Sequence, residues 1–173
     1  ANDRILSLID KGTDKVTERT VLQNSSQAGI WNHTYLFFGF PTENREEAEE
    51  TVEFIIENGE TGAGIIHSVG QSTFTLEKDS AIYHDPSSFA VERIVHRPDR
   101  DMAIMYDFEA KSGMSREEVM EVYENFNSVI ETRFPTARIW RYLSREHFML
   151  YLDRFGKEAI REMARQEELI DAV

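Results

Sequence analysis

Cysteine is absent from all 173 residues. That excludes disulfides, a thiolate nucleophile, and an iron–sulfur cluster held by the chain's own side chains. Basic residues are scarce as well. Nineteen Lys and Arg face 32 Asp and Glu, for a net charge of −13. Nucleic acids and anionic membranes are bound through a surplus of cations, so neither is expected as a partner. The acid excess reads as a solubilising surface. Long apolar runs are missing too, with none near the ~20 residues needed to cross a bilayer. No basic-then-apolar start marks a secretion signal. With no disulfide to call for an oxidising compartment, the cytoplasm is the expected location. No Gly-x-Ser-x-Gly elbow is present.

What is present is a globular composition, 40% hydrophobic, with alternating α/β texture in its first half. Asp3 to Asp10 reads as a short helix ended by Lys11-Gly12, and Thr13 to Gln27 as a second helix closed by Gly29. The second has a thin apolar face, which places it on the outside of a sheet. A strand is expected from Ile30 to Phe38, then a helix from Arg45 to Asn58 carrying Ala48, Val52, Ile55 and Ile56 at helical spacing. The many glutamates of that helix read as a solvated face. The three glycines of 59–64 have the density of a phosphate loop. They follow a helix and no Lys-Ser/Thr comes after them, so they read as a connection.

Ile65 to Leu76 reads as the next strand region. Gln71, Ser72 and Thr73 are polar inside it, so they either face a ligand or bond neighbouring strands. Phe89–His96 and Met102–Phe108 predict a β-hairpin around Arg97-Pro98-Asp99-Arg100-Asp101. Ser115-Arg116-Glu117-Glu118 is a capping box opening a helix that stops before Pro135. A further helix starts at Ser144 and is broken or kinked at Gly156. The expected division is residues 1–86 and a hairpin-plus-helix extension, 87–173, packed on it.

His33, His67, His84, His96 and His147 have no metal-ligand spacing and read as structural or surface residues. Arg93, His96, Arg97 and Arg100 form one basic cluster, and Arg133, Arg138, Arg141 and Arg145 another. Internal ion pairs are the expected role for both.

The chain is organised around Tyr35-Leu36-Phe37-Phe38-Gly39-Phe40-Pro41-Thr42-Glu43. A continuous apolar run suits a strand covered on both faces. Gly39 and Pro41 shape the loop that follows, and Thr42 or Asn44 can cap the next helix. In α/β folds the loop at the carboxyl end of a strand is where ligands bind. Gly39, Pro41 and Glu43 are therefore candidate site residues. Glu43 reads equally as a ligand contact or as a carboxylate favourable at a helix start. Phe38 and Phe40 read as ring contacts to a ligand or as core, with core expected for at least one.

Gly-Phe-Pro-Thr-Glu after an apolar strand and before an acidic helix resembles the radical S-adenosylmethionine enzymes, in the branch whose members often carry a cobalamin-binding domain. Asp3-Arg4-Ile5-Leu6 to Thr13, Gly29-Ile30, and Phe74-Thr75-Leu76-Glu77 with Ser80 and Pro86 resemble the same family, through about Phe89. The resemblance implies the last part of a partial (β/α)6 barrel. It also implies S-adenosylmethionine as cofactor, with cobalamin in some members. Phe38, Gly39, Phe40, Pro41, Glu43, Gln71, Ser72 and Thr73 would then lie along the cofactor and an unspecified substrate. No catalytic or metal-ligating residue is assigned.

The family's C-x3-C-x2-C motif, which holds its 4Fe–4S cluster, has no counterpart here. The resemblance thus implies a fragment whose cluster belongs to an upstream part of the same polypeptide, and no cluster or activity on this chain alone. A strand that has lost its barrel neighbour would leave an edge able to pair with a second copy. The alternative reading is a non-catalytic, barrel-derived binding module.

Overall fold

The apolar run ahead of Gly39 forms a strand, and its helix follows at once. In a computed structural model, which describes residues 2–97, 102–134 and 144–171, the elements run as follows. Helices α1 (Asp3–Leu8) and α2 (Lys15–Gln27) precede β1 (His33–Phe38), α3 (Arg45–Asn58), β2 (Ser68–Thr73) and β3 (Leu76–Glu77). Then come α4 (Ala81–His84), a 3-10 turn (Pro86–Phe89), β4 (Val91–Val95), β5 (Met105–Ala110), α5 (Arg116–Arg133) and α6 (Arg145–Asp171). The fold is mixed α/β with two small sheets, and no closed barrel occurs among the described residues. No described helix is long and apolar enough to cross a membrane.

β1 and β2 are neighbours in a two-stranded sheet. The Asn32 carbonyl accepts from His67 N–H, and the Phe38 carbonyl accepts from Phe74 N–H. Early residues thus meet early ones and late meet late, so the pair is parallel, with α3 as the crossover. The expectation of a strand covered on both faces is corrected. Within β1 only Phe38 is fully buried, and Tyr35 stays 68% exposed, because β1 has a single neighbouring strand among the described residues. The second sheet has the order β3-β5-β4 and is antiparallel. The strand region expected through Leu76 ends at Thr73; Leu76 and Glu77 instead pair with Tyr106 and Met105 of β5. The predicted hairpin is β4 and β5, with Ile94 opposite Phe108; residues 98–101 of its turn lie outside the described residues.

Helix ends follow local chemistry. Asn44 caps α3, accepting from Glu47 N–H while the Glu47 carboxylate accepts from Asn44 N–H. Ser115 and Glu118 make the same reciprocal bonds at α5. Two expectations are corrected. Asp14, not Thr13, caps α2 through Thr17 N–H. Asp10, at φ 50°, and not Gly12 takes the left-handed position after α1, with Asp10 N–H on the Ser7 carbonyl and Lys11 N–H on the Leu6 carbonyl. α6 is interrupted at Gly156, as its sequence predicts.

The chain forms two compact units, each drawing on residues before and after position 86. The first comprises Ala1–Glu18, Leu36–Glu53 and Gln71–Asn125. Its core is built on Ile5, Phe40, Leu76, Ile82 and Val91, with the rings of Phe37, Phe74 and Phe108 against it. Arg4 pairs with Glu47 and Lys15 with Glu50, so part of the acidic face of α3 is neutralised rather than simply solvated. Arg93 pairs with Glu109, and Asp107 accepts from Arg97 at 2.6 Å and Arg116 at 3.5 Å. Two arginines of the first basic cluster are thus ion-paired as expected. In the second cluster, Arg138 and Arg141 lie outside the described residues.

The second unit comprises Arg19–Tyr35, Phe54–Gly70 and Phe126–Val173. Trp31 stacks on His67 at 4.9 Å and meets Phe148 edge-on at 5.4 Å. The segment 59–64 is the expected helix-to-strand connection, folded back so that Ala63 N–H reaches Glu57 and Ile66 N–H reaches Asn58.

Candidate functional site

All of the candidate site's walls belong to the first unit. β1 ends at Phe38, and the backbone reverses at Gly39, where φ is +85°. A Cβ on Gly39 would stand 2.9 Å from both γ carbons of Val119. Position 39 therefore needs glycine twice, for its dihedral and for the approach of α5. The loop then closes as a β-turn, with Glu43 N–H on the Phe40 carbonyl at 2.9 Å. Pro41 and Thr42 are its central residues, and Thr42 has φ +73°.

Glu43 braces this loop from within. Its side chain folds back so that Oε2 accepts from Gly39 N–H at 2.6 Å. The residue is 3% exposed. Burial pushes its carboxyl up to about 7, against the opposing effect of the bonds it accepts from the Gly39 and Phe40 backbone. On the outer side, the Arg4 guanidinium donates to Thr42 Oγ1 at 3.0 Å and to the Thr42 carbonyl at 2.9 Å. Met114 N–H donates to the Glu43 carbonyl at 2.8 Å. At Gly113, φ +104°, a Cβ would lie 2.9 Å from Thr42 Cα and C and from Glu43 O.

Beside this loop is a cleft of about 630 Å³, within the range of about 300–1,000 Å³ usual for small-molecule sites. One wall is Phe38 to Thr42 with Thr73, Phe74 and Thr75; the other runs from Tyr106 on β5 to Met120 on α5. The cleft is partly apolar, through Phe74 and Phe108 with the buried Phe38 and Phe40 behind its edge, and partly polar. Two of its acids, Asp107 and Glu109, are paired with arginine, and Glu118 holds Ser115 N–H.

Of the sequence-derived candidates, Phe38, Gly39, Phe40, Pro41 and Thr73 come together on this cleft. Phe38 and Phe40 are also core, at 0% and 4% exposure. Glu43 lies behind the loop and is not part of the lining. Ser72 lines a smaller hollow with Phe37, Ser80 and Ile82, which shares Thr73, Phe74 and Thr75 with the cleft. Gln71 lines neither space. Among the described residues, no group of three or more His, Cys, Asp or Glu is placed to hold a metal ion. His33 points its Nδ1 at Ser68 Oγ, 2.7 Å away.

Sequence reasoning missed Arg4, Thr42, Gly113 and the whole β5–α5 wall. A signal for that wall was available. Ala110-Lys111-Ser112-Gly113-Met114-Ser115 repeats the order of Phe38 to Asn44: strand end, glycine-bearing loop, capped helix. No protein-family model, curated protein or solved structure matches this chain.

Proposed function

We propose that this chain is part of a radical S-adenosylmethionine enzyme of the cobalamin-associated branch. It would contribute the last part of a partial (β/α)6 barrel and one side of the cofactor and substrate pocket. One observation carries the reading. At the carboxyl end of β1, Gly39 at φ +85° turns the backbone so that the Phe38–Thr42 segment edges a cleft of about 630 Å³. Ligands of parallel α/β folds bind at that end of the strands. The half-buried rings of Phe74 and Phe108 would receive the adenine, the Phe38–Thr42 backbone, with the buried Phe38 and Phe40 rings behind it, would edge the adenosyl group, and Thr73 Oγ1 would offer a hydrogen bond. Glu43 would keep the loop in shape rather than touch the ligand.

S-adenosylmethionine, when bound beside its cluster, supplies radical chemistry or, with cobalamin, methyl transfer. The chain's residues do not fit the cluster itself, because no thiolate is available; an upstream part of the polypeptide would hold it. This reading keeps the cytoplasm as location. It also makes the flank of the β1–β2 pair, where no further strand pairs among the described residues, a pairing edge for a second copy. The lack of cysteine favours one second reading, a barrel-derived module that binds without catalysing.

Titration of the isotopically labelled chain with S-adenosylmethionine tests the assignment. Saturable amide shifts at Gly39, Phe40, Thr42 and Thr73 are expected, with 5′-deoxyadenosine reproducing most of them and methionine few. No shift, or shifts confined elsewhere, overturns it. Joining the chain to the cysteine-bearing upstream segment and assaying cofactor cleavage then separates enzyme from binding module.

A further inference from the structure

The turn at the head of the cleft is held in a conformation that its own residues disfavour. Proline at its first central position and a positive φ at its second are the pattern of a type II turn, which favours glycine at the second. Here that residue is Thr42, at φ +73°. A β-branched side chain in the left-handed region is an outlier that persists only where its surroundings over-determine it. Those surroundings are visible. From α1, Arg4 reaches both polar groups of Thr42, Nη1 to Oγ1 at 3.0 Å and Nη2 to the carbonyl at 2.9 Å. Arg4 is itself held by Glu47, Nη2 to Oε2 at 2.6 Å. On the opposite side, Gly113 lies flat against the Thr42 backbone.

We propose that Arg4 is a positioning residue for the cleft: its forked guanidinium holds Thr42 in the left-handed conformation and thereby fixes the backbone edge that Gly39–Thr42 present to the ligand. A glycine at position 42 would hold this turn unaided. With threonine there, the cleft wall depends on α1, through a planar fork that lysine cannot reproduce. The ligand half of the proposal rests on the nucleoside-cofactor reading above, whereas the clamp itself does not.

The experiment compares the wild-type chain with Arg4→Gln, Arg4→Lys, Thr42→Gly and the Arg4→Gln/Thr42→Gly double variant. Amide exchange is read at Glu43 and Met114, whose N–H groups close the turn and its dock, and at Tyr106 in β5 as a reference. Arg4→Gln should speed exchange at Glu43 and Met114 roughly tenfold, which corresponds to about 1.4 kcal/mol, and leave Tyr106 unchanged. Arg4→Lys should recover little of this loss, and Thr42→Gly in the Arg4→Gln background should recover most of it. A plain structural role for Arg4 would instead speed all three amides together, with no rescue by glycine.

Unchanged exchange at Glu43 and Met114 in Arg4→Gln, or failure of the glycine rescue, overturns the clamp. S-adenosylmethionine titration of the same variants judges the ligand half. Affinity should fall several-fold in Arg4→Gln and return in the double variant. Equal affinity in wild type and Arg4→Gln overturns that half. If the wild type shows no shift, the cofactor reading fails and takes the ligand half with it, while exchange still decides the clamp.

Discussion

The Glu43 carboxylate accepts a hydrogen bond from Gly39 N–H, four residues back, at 2.6 Å, and the side chain that makes it is almost wholly buried. Two influences on its proton oppose each other here. The backbone donors favour the anion, and removal from water disfavours it; removal from water wins, and the carboxyl is held up to about 7.

A pH dependence follows from the sign of that shift. In the unfolded chain Glu43 ionises near 4.5. Between that value and about 7 the unfolded state has lost its proton while the folded state keeps it. The contribution of Glu43 is therefore fully present below about 4.5 and is lost as pH rises through about 7. Its size is on the order of 3 kcal/mol. Glu47, Glu50, Asp85 and Glu109, held low by their partners, act in the opposite sense and in more acid solution. Glu18 is raised by its own burial, so the wild-type curve alone does not isolate Glu43, but Glu43→Gln does. The variant keeps the shape and an acceptor for Gly39 N–H. Urea unfolding should find it close to wild type at pH 5 and more stable, by about 1–3 kcal/mol, at pH 8. Equal pH slopes for the two proteins would refute this account of the brace.

At Gly39 two separable costs are expected from a side chain. Gly39→Ala must hold alanine at φ +85° and bring its Cβ to 2.9 Å from Val119. The first costs about 1–2 kcal/mol, and crowding adds about 1–3 kcal/mol. Val119→Ala should relieve only the crowding, so the double variant recovers part of the loss. At Gly113 the neighbours are backbone atoms of Thr42 and Glu43, which cannot be trimmed. Gly113→Ala should be destabilising with no side-chain rescue. Melting curves of the four variants check the contrast, which fails if Val119→Ala does not improve Gly39→Ala.

What the sequence shows of this protein is what is encoded locally. The reach of α3, the caps at Asn44 and Ser115, the hairpin pairing of β4 with β5 and the break at Gly156 all depend on a few adjacent residues. The strand–loop–helix piece around Gly39 was legible for the same reason. The opposite wall of the cleft was not, because it is made by residues some 70 positions further on, and no local pattern states which loop meets which. Glu43 shows a second limit. Its position marks it as important, but only the fold shows the carboxylate turning back onto Gly39 and away from the cleft. Arg4 shows a third. In sequence it is one cation on a short helix, and its role follows from Thr42 having a backbone conformation that threonine rarely adopts.

In the second unit, Asn32 carries a network whose loss should be local and measurable. Its side-chain amide donates to the carbonyls of Leu22 at 2.9 Å and Ile65 at 2.7 Å, and its Oδ1 accepts from Ser25 Oγ at 2.7 Å. Its backbone N–H donates to His67 Nδ1 at 3.0 Å, which requires the neutral ring with its proton on Nε2. Asn32→Ala removes the donor to the Ile65 carbonyl, an orphan that costs about 1–3 kcal/mol, while Ser25 Oγ still reaches the Val21 and Leu22 carbonyls. Asn32→Asp is the sharper variant. It keeps the acceptor for Ser25 but sets a carboxylate against two carbonyl oxygens, so it should be at least as destabilising as alanine at pH 7. Protonation turns that carboxylate into a donor for one of the carbonyls. The introduced acid is therefore raised in the folded state, and Asn32→Asp should gain more stability between pH 7 and pH 4 than Asn32→Ala, which keeps only the background dependence that Glu43 and Glu18 give both variants. Trp31, stacked on His67, reports the change directly once Trp140, the second of two tryptophans, is replaced by phenylalanine. Its emission should shift in the folded Asn32→Asp protein before global unfolding begins. If Asn32→Asp matches Asn32→Ala at both pH values and leaves Trp31 emission unchanged, the carbonyls are not satisfied through this amide and the network is not what joins the start of β1 to Ile65.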